Sequence, residues 1–525
     1  MLSRKVVNRA IRRIAKASLA LVLVAAWVGV ALAQDPAAGQ SPGGQSSADP
    51  NQGAAPAATG LDVQTELTEN PPVSGLDQPS FEPGLGARSF LVPRAQVSES
   101  ITNNATSSVA NQSGVGEITR LLGAVDLQKL WKIHPLDISY IGGTGYFNGR
   151  GWYQIHTMAA TQRILWRTGQ LAIRDNFSYL PQGSFGFGSF GGAGGFGGIG
   201  GLGGGFGGGL GGGFGGQGGF GGGIGTGGGS FGSPTFGTNG NTPRIDNVGI
   251  VDITQALSPR SSVVLAGGYG TLHFLNSPPG LVNSQQTISQ AGYNYLLTKK
   301  DQIGVSYGFE EFHFPTANAG DVNVNLWQFY YSHRISGRLD LTGGGGPQWI
   351  HANGYAPQIV VTPTGFAVVL VPFHTSRLSG AGRVGLNYRR SQRTNLALNY
   401  FHYVTPGSGF FPGANSDAVR FVVNHQLTRR WSMNLDTGFT RNTRILNTTT
   451  STSVAGTSHT YDYWYSGAGL RRQLNRQFQG FLNYQYDKLL FGSGFCGSGG
   501  HCHAGYGQHR GMIGLLWTPH PIRLD

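Results

Sequence analysis

Charge is scarce in this chain. Asp, Glu, Lys and Arg make up 12% of it, about half the ~25% usual for soluble domains. Cysteine is scarcer still: only Cys496 and Cys502 occur, which excludes a disulfide-dense scaffold. Past the N-terminal segment no apolar run approaches the ~18 residues that a membrane helix needs. There is no Gly-x-Ser-x-Gly elbow, no His-Glu-x-x-His pair and no Gly-x-x-x-x-Gly-Lys-Ser/Thr loop, and the 14 His residues are scattered. No enzyme, cofactor or resident metal is therefore expected. What the chain has in excess is glycine, 88 residues of it.

Residues 1–33 carry six basic residues and no acid, an apolar run from Ala17 to Val30, and Ala31-Leu32-Ala33 before Gln34. This is the pattern of a secretory signal peptide cut after Ala33. Arg12-Arg13 lacks the context of a twin-arginine export signal. Removing the segment lowers the formal charge from +13 to +7, and an exported chain has no expected nucleic-acid partner. Residues 34–114 are rich in Pro, Gly, Ser and Gln, too polar to offset chain entropy by burial, and read as a disordered periplasmic arm. In 115–135, Ile118, Leu121, Leu122, Val125 and Leu130 fit either a short amphipathic helix or a lead-in to the first strand. Cys496 and Cys502 are spaced for a small disulfide loop, with a metal alternative offered by His501 and His503.

From residue 136 the rhythm has a period of two. Trp431, Met433, Leu435, Thr437 and Phe439 alternate with Ser432, Asn434, Asp436, Gly438 and Thr440, and the same pattern returns at Ile303–Phe309, Val384–Tyr388 and Leu482–Tyr486. Such alternation marks half-buried strands. Short basic or polar connectors, at 166–170, 258–261, 298–301, 336–338, 389–394, 428–430 and 474–477, alternate with mostly longer ones at 181–244, 275–285, 315–321, 352–376, 405–415, 442–459 and 489–507. Short turns on one rim and long loops on the other predict an up-and-down antiparallel barrel over 136–525. About 16 strands fit, within a range of 14 to 18, starting near Asp137 and ending near Arg510.

One strand face is greasy and the other bears Asn, Gln, Ser, Thr and Gly, which suits lipid outside and a wet lumen inside. Trp166, Tyr179, Trp327, Tyr331, Trp349, Tyr388, Trp431, Tyr461, Trp464 and Trp517 stand near strand ends, where interfacial aromatic girdles belong. With these features, and in LDISYIGGTGYFN and LAIRDNFSYLPQGSFGFG, the chain resembles a porin-like group of Gram-negative outer-membrane β-barrel proteins. The resemblance implies an all-β transmembrane barrel in the cell outer membrane. Its partners would be membrane lipid, the barrel assembly machinery and small hydrophilic solutes, and homo-oligomers are compatible with it. Proteins of this kind usually finish on an aromatic residue, whereas this chain runs on from Trp517 to Asp525.

By phase with their apolar neighbours, Arg174, Glu310, Arg383, Arg420, Asp436 and Asp487 are expected to line the lumen. The function expected is passive diffusion of small hydrophilic solutes. The alternatives are a conduit for polysaccharide export and a barrel that anchors surface or adhesive loops. The Gly/Phe-rich segment within 181–244, uncharged between Asp175 and Arg244, reads as an extracellular loop insertion.

Overall fold

The computed structural model describes residues 89–103, 115–131, 134–148, 151–180, 244–275, 282–298, 300–315, 320–362, 365–391, 393–405, 413–445, 460–491 and 505–524. Among them there is no α-helix. The segments expected to be a signal peptide, a cysteine-closed loop and a glycine-rich insertion lie outside the described residues.

The strands follow in chain order. β1 (Phe90–Thr102), β2 (Gly116–Lys129), β3 (Leu136–Phe147), β4 (Gly151–Trp166) and β5 (Gly169–Leu180) precede the insertion. Beyond it come β6 (Arg244–Ser258), β7 (Ser261–Phe274), β8 (Ser284–Leu296), β9 (Asp301–His313) and β10 (Asp321–Ser336). The third group is β11 (Leu339–Thr362), β12 (Gly365–Ser391), β13 (Thr394–Thr405) and β14 (Ala414–Gln426). The last is β15 (Trp431–Arg444), β16 (Thr460–Gln473), β17 (Phe478–Phe491) and β18 (Gly505–Trp517). Each pairs antiparallel with the next, and β18 pairs with β1 from Ala95 opposite Trp517 to Thr102 opposite Arg510. The sheet is closed, so its backbone donors and acceptors need no solvent partners along a free edge.

The barrel therefore has 18 strands rather than about 16, and both additions are N-terminal. β1 lies within the stretch expected to be a disordered arm. Its inward residues Gln96, Ser98, Ser100 and Thr102 are polar and its outward face is interrupted by Pro93 and Glu99, so the alternation is weak, yet it pairs with β2 along its whole length and with β18 over Ala95–Thr102. β2 occupies the stretch that also fitted a helix, because Ile118, Leu121, Leu122 and Val125 satisfy either period; its burial alternates with a period of two from Gly116 to Asp126. After Trp517, a two-residue strand, β19 (Ile522–Arg523), pairs with Phe90 and Leu91.

Two-residue turns at 167–168, 259–260 and 337–338 share one rim with the other short connectors. On the opposite rim, β3 and β4 are joined by a short link that ends at Gly151, whose φ of +89° is left-handed backbone that glycine adopts without a Cβ clash. A 13-residue strand at about 3.3 Å per residue, tilted ~40°, rises roughly 33 Å, enough for an apolar band of ~25 Å.

The stretch 352–376 is not a loop. β11 and β12 pair without interruption up to Thr362 opposite Gly365. β10 accompanies β11 only as far as Asn353, and β13 accompanies β12 only from Gly382. Residues 354–362 of β11 and 365–373 of β12 thus form a two-stranded ribbon beyond the long-loop rim, with neither flanking strand alongside. The runs Ile359–Val361 and Phe366–Val371, flanked by Gly and Pro, supply the β-branched and apolar residues that favour strand.

Candidate pore wall

Alternation sorts side chains between two faces. Exposed large residues on the outer face include Leu121, Ile173, Leu265, Trp327, Phe329, Val384, Phe439, Trp464, Leu482 and Ile513. At the rims Trp166 bonds Gln255, Arg472 lies 5.1 Å from the ring of Trp431, and Tyr146 packs on Trp152 at 5.2 Å. Tyr461 departs from the expected girdle: it is 0% exposed and faces inward with Tyr463 and Tyr465, leaving Trp464 outside.

The inner wall carries ion pairs between neighbouring strands. Arg174 on β5 pairs with the fully buried Asp252 on β6. Arg420 on β14 grips Asp436 on β15 with two bonds, Nε to Oδ1 at 3.1 Å and Nη2 to Oδ2 at 2.7 Å, and the Tyr465 hydroxyl donates to the same Oδ1 at 3.1 Å. Asp126 on β2 pairs with Arg94 on β1 and accepts a 2.7 Å bond from Ser139. Toward the short-turn rim Arg334 Nε meets Asp340 at 3.2 Å with Arg389 at 3.8 Å, and Arg163 meets Asp137 at 3.0 Å.

Of the residues expected to line the lumen, Arg174, Glu310, Arg383, Arg420 and Asp436 all lie on the inner face. They do not form one site: two pairs sit on separate strand pairs, Arg383 lies over the ring of Tyr330 at 5.1 Å, and Glu310 is apart. Glu310, 2% exposed, has no ion-pair partner among the described residues and acts electrostatically on Tyr403 of β13, four strands away. Asp487 lies on β17 opposite Gln508, and its side chain falls outside the described residues. Sequence reading missed Asp252, Asp126, Arg94, Arg120 and Arg510. The signal was present for Asp252, because Ile250, Asp252 and Thr254 alternate with Val251 and Ile253 on β6.

A recurrent device orients the wall. Gly145, Gly344 and Gly438 stand opposite Tyr153, Tyr330 and Tyr465, and each tyrosine ring occupies the space where the glycine's Cβ would be. The ring therefore lies along the wall instead of spanning the lumen. Each of these tyrosines then serves an inner-wall charge. The Tyr153 hydroxyl accepts a 3.1 Å bond from Arg120 Nε, the Tyr330 ring underlies Arg383, and Tyr465 bonds Asp436.

The lumen face is less uniformly polar than expected. Ile250, Val264, Ile288, Leu326, Tyr330 and Ala381 form one inner cluster on β6, β7, β8, β10 and β12. A second joins Phe312, Phe314, Val322, Val324, Ile350, Ala352 and Val404 near the long-loop rim. There the β13–β14 hairpin leans onto β9–β11: Tyr403, Val404 and Thr405 are buried in succession, and Gly413 approaches Val322. An apolar cluster thus stands toward the long-loop end of the same strands that carry Glu310.

A closed antiparallel sheet with exposed apolar residues outside and ion pairs inside is a membrane-spanning β-barrel. No protein-family model matches the chain, and no curated protein matches it in sequence. Solved structures similar to it in fold include the ferric-catecholate import receptor Fiu of E. coli K12, open form. It shares 8% identity over 83% of this chain and 82% of that one, with a TM-score of 0.40. OpdQ of Pseudomonas aeruginosa shares 9% identity over 83% and 99%, with a TM-score of 0.36. The outer membrane protein OpdK of the same species shares 10% identity over 82% and 99%, with a TM-score of 0.37.

Proposed function

We propose that this chain is an outer-membrane, porin-like barrel through which small hydrophilic solutes cross by passive diffusion, with no catalytic step and no cofactor. The observation that carries the reading is the polar, hydrogen-bonding inner wall. Thr254 Oγ1, both amide atoms of Gln286 and Gln348 Oε1 face inward without a protein partner among the described residues. A face of this make-up is hydrophilic, which suits polar solutes rather than apolar ones. On this reading the short-turn rim faces the periplasm and the long-loop rim the exterior.

Purified protein reconstituted into planar lipid bilayers is expected to give discrete conductance steps. A folded barrel that inserts but never conducts would overturn the reading. The ribbon of 354–362 and 365–373 favours a second reading, a barrel that anchors a surface-exposed binding element, since Tyr355, Val360, Val369 and Leu370 are exposed on it.

A further inference from the structure

Alternation sets Val251 and Ile253 of β6, Leu265 and Gly267 of β7, and Ser289 and Ala291 of β8 side by side on the outer face, where they line a groove of about 400 Å³. The groove dents the apolar belt at mid-height. Counted from the short turns, Gly267 is six residues up from Ser261 and Ser289 seven up from Leu296, whereas Trp166 stands at the foot of β4 and Trp327 and Trp464 nine residues up β10 and β16. At about 3.3 Å per residue and ~40° of tilt, the groove lies roughly 15–18 Å into a band of ~25 Å. Packing within the barrel does not require its small residues. A Cβ added at Gly267 would meet nothing nearer than the Ile288 carbonyl oxygen at 3.7 Å, and one at Gly249, also outward on β6, nothing nearer than Asp175 Oδ1 at 3.7 Å. Glycine weakens a strand, and on an outward membrane face it lets another polypeptide come close.

Polar groups stand at the same height. Asp175 is six residues up β5 from Gly169, in phase with the exposed Ile173, and its Oδ1 accepts a 3.2 Å bond from Asn247 Nδ2. Ser289 is exposed on β8. Hydrocarbon supplies neither donors nor counter-charge, and ionisable residues at such depth ordinarily face protein or water. An acyl chain laid in the groove would leave this carboxylate and this hydroxyl in lipid. A second copy of the same face would not. With a two-fold axis along the membrane normal between β6 and β7, β6 meets β7 of the second copy, β5 meets β8, and every residue keeps its height. The Ser289 hydroxyl of each barrel is then set against the Asp175 carboxylate of the other, while Gly249 and Gly267 allow close approach beside the axis.

We propose that the face formed by β5 to β8 is a two-fold interface at which two copies of this chain dimerise within the membrane. The inference goes beyond the pore reading and does not depend on what crosses the lumen. The test is the oligomeric state of the full chain in lipid vesicles, with Cys496 and Cys502 changed to Ser. Leu265→Cys, beside the axis, is expected to give a disulfide-linked dimer on oxidation; Leu435→Cys, also exposed but on β15 across the ring, is expected to give none. Gly267→Trp should raise the dimer dissociation constant about tenfold or more, read by energy transfer between labelled barrels on dilution with lipid, because overfilling a close contact is costly. Asp175→Ala should raise it severalfold, and Leu435→Trp should leave it unchanged; heat-modifiable migration on gels reports that each variant is folded. A monomeric parent chain, equal cross-linking at Leu265 and Leu435, or a folded Gly267→Trp variant that dimerises as tightly as its parent would overturn the interface. Monomers that retain lipid in the groove would do so too, by assigning it to an acyl chain. Conducting monomers overturn this inference alone, and dimers that never conduct overturn the pore reading alone.

Discussion

Asp436 is almost completely buried, yet it accepts both nitrogens of Arg420 and the hydroxyl of Tyr465. Its removal would leave a guanidinium on the wall without its counter-charge and a tyrosine without its acceptor. Asp436→Ala is therefore expected to destabilise the barrel by about 3–5 kcal/mol, read by urea unfolding from lipid vesicles, whereas breaking an exposed rim pair such as Arg441 with Asp462 should cost far less, because solvent screens it. A matching loss at both sites would refute this account of the wall. At this scale the sequence was informative wherever one face was clearly apolar. The phase of Val419 and Phe421 turns Arg420 inward, and that of Leu435 and Thr437 does the same for Asp436. It failed at Tyr461, because TYDYWYSG has aromatic residues on both faces and a period of two cannot choose between them.

Strands with a strong alternating face, such as β9, β15 and β17, were legible as elements, while β1 was not. Its inward face includes Val92, Gln96, Ser98, Ser100 and Thr102, and on its outward face Pro93 and Glu99 interrupt Leu91, Val97 and Ile101, so the alternation is too weak to separate strand from tail. Its order comes from neighbours distant in the chain, which a local pattern does not register. The register makes this testable. In a chain whose Cys496 and Cys502 are changed to Ser, Val97→Cys with Leu515→Cys should form a disulfide on oxidation, because the two residues face each other across the β1–β18 seam. The bridge would show as an altered gel mobility reversed by reductant. Shifting one partner to Ile513 should abolish it, and a chain that stays reducible in neither combination would mean that the sheet does not close there. The ribbon of β11 and β12 was misread for a different reason. Its Gly and Pro residues read as loop punctuation, although the valine-rich runs between them carry strand propensity.

For the molecule as a whole, the ribbon and the barrel are separable. Residues 356–371 pair only with each other, so deleting them and rejoining the strands should leave heat-modifiable migration and single-channel conductance unchanged. Loss of conductance would instead place the ribbon in the permeation path, and loss of attachment to a surface with conductance retained would support the anchoring reading. The class of fold was readable from the alternation of strands and connector lengths. The lumen was not, because which inward side chains meet depends on how strands four or more apart lean together, as β9 and β13 do at the mouth.

The seam described by Ala95 opposite Trp517 has a kinetic side. It joins nearly the first described residues to nearly the last, so this contact cannot form until the C-terminal strand has been delivered, and long-range pairings of this kind are slow. During that interval the growing sheet exposes two unpaired margins, each able to capture another strand. A chain cut short before β18 would keep both margins permanently. Stop codons and proteolysis upstream of residue 505 should therefore yield aggregates rather than smaller barrels.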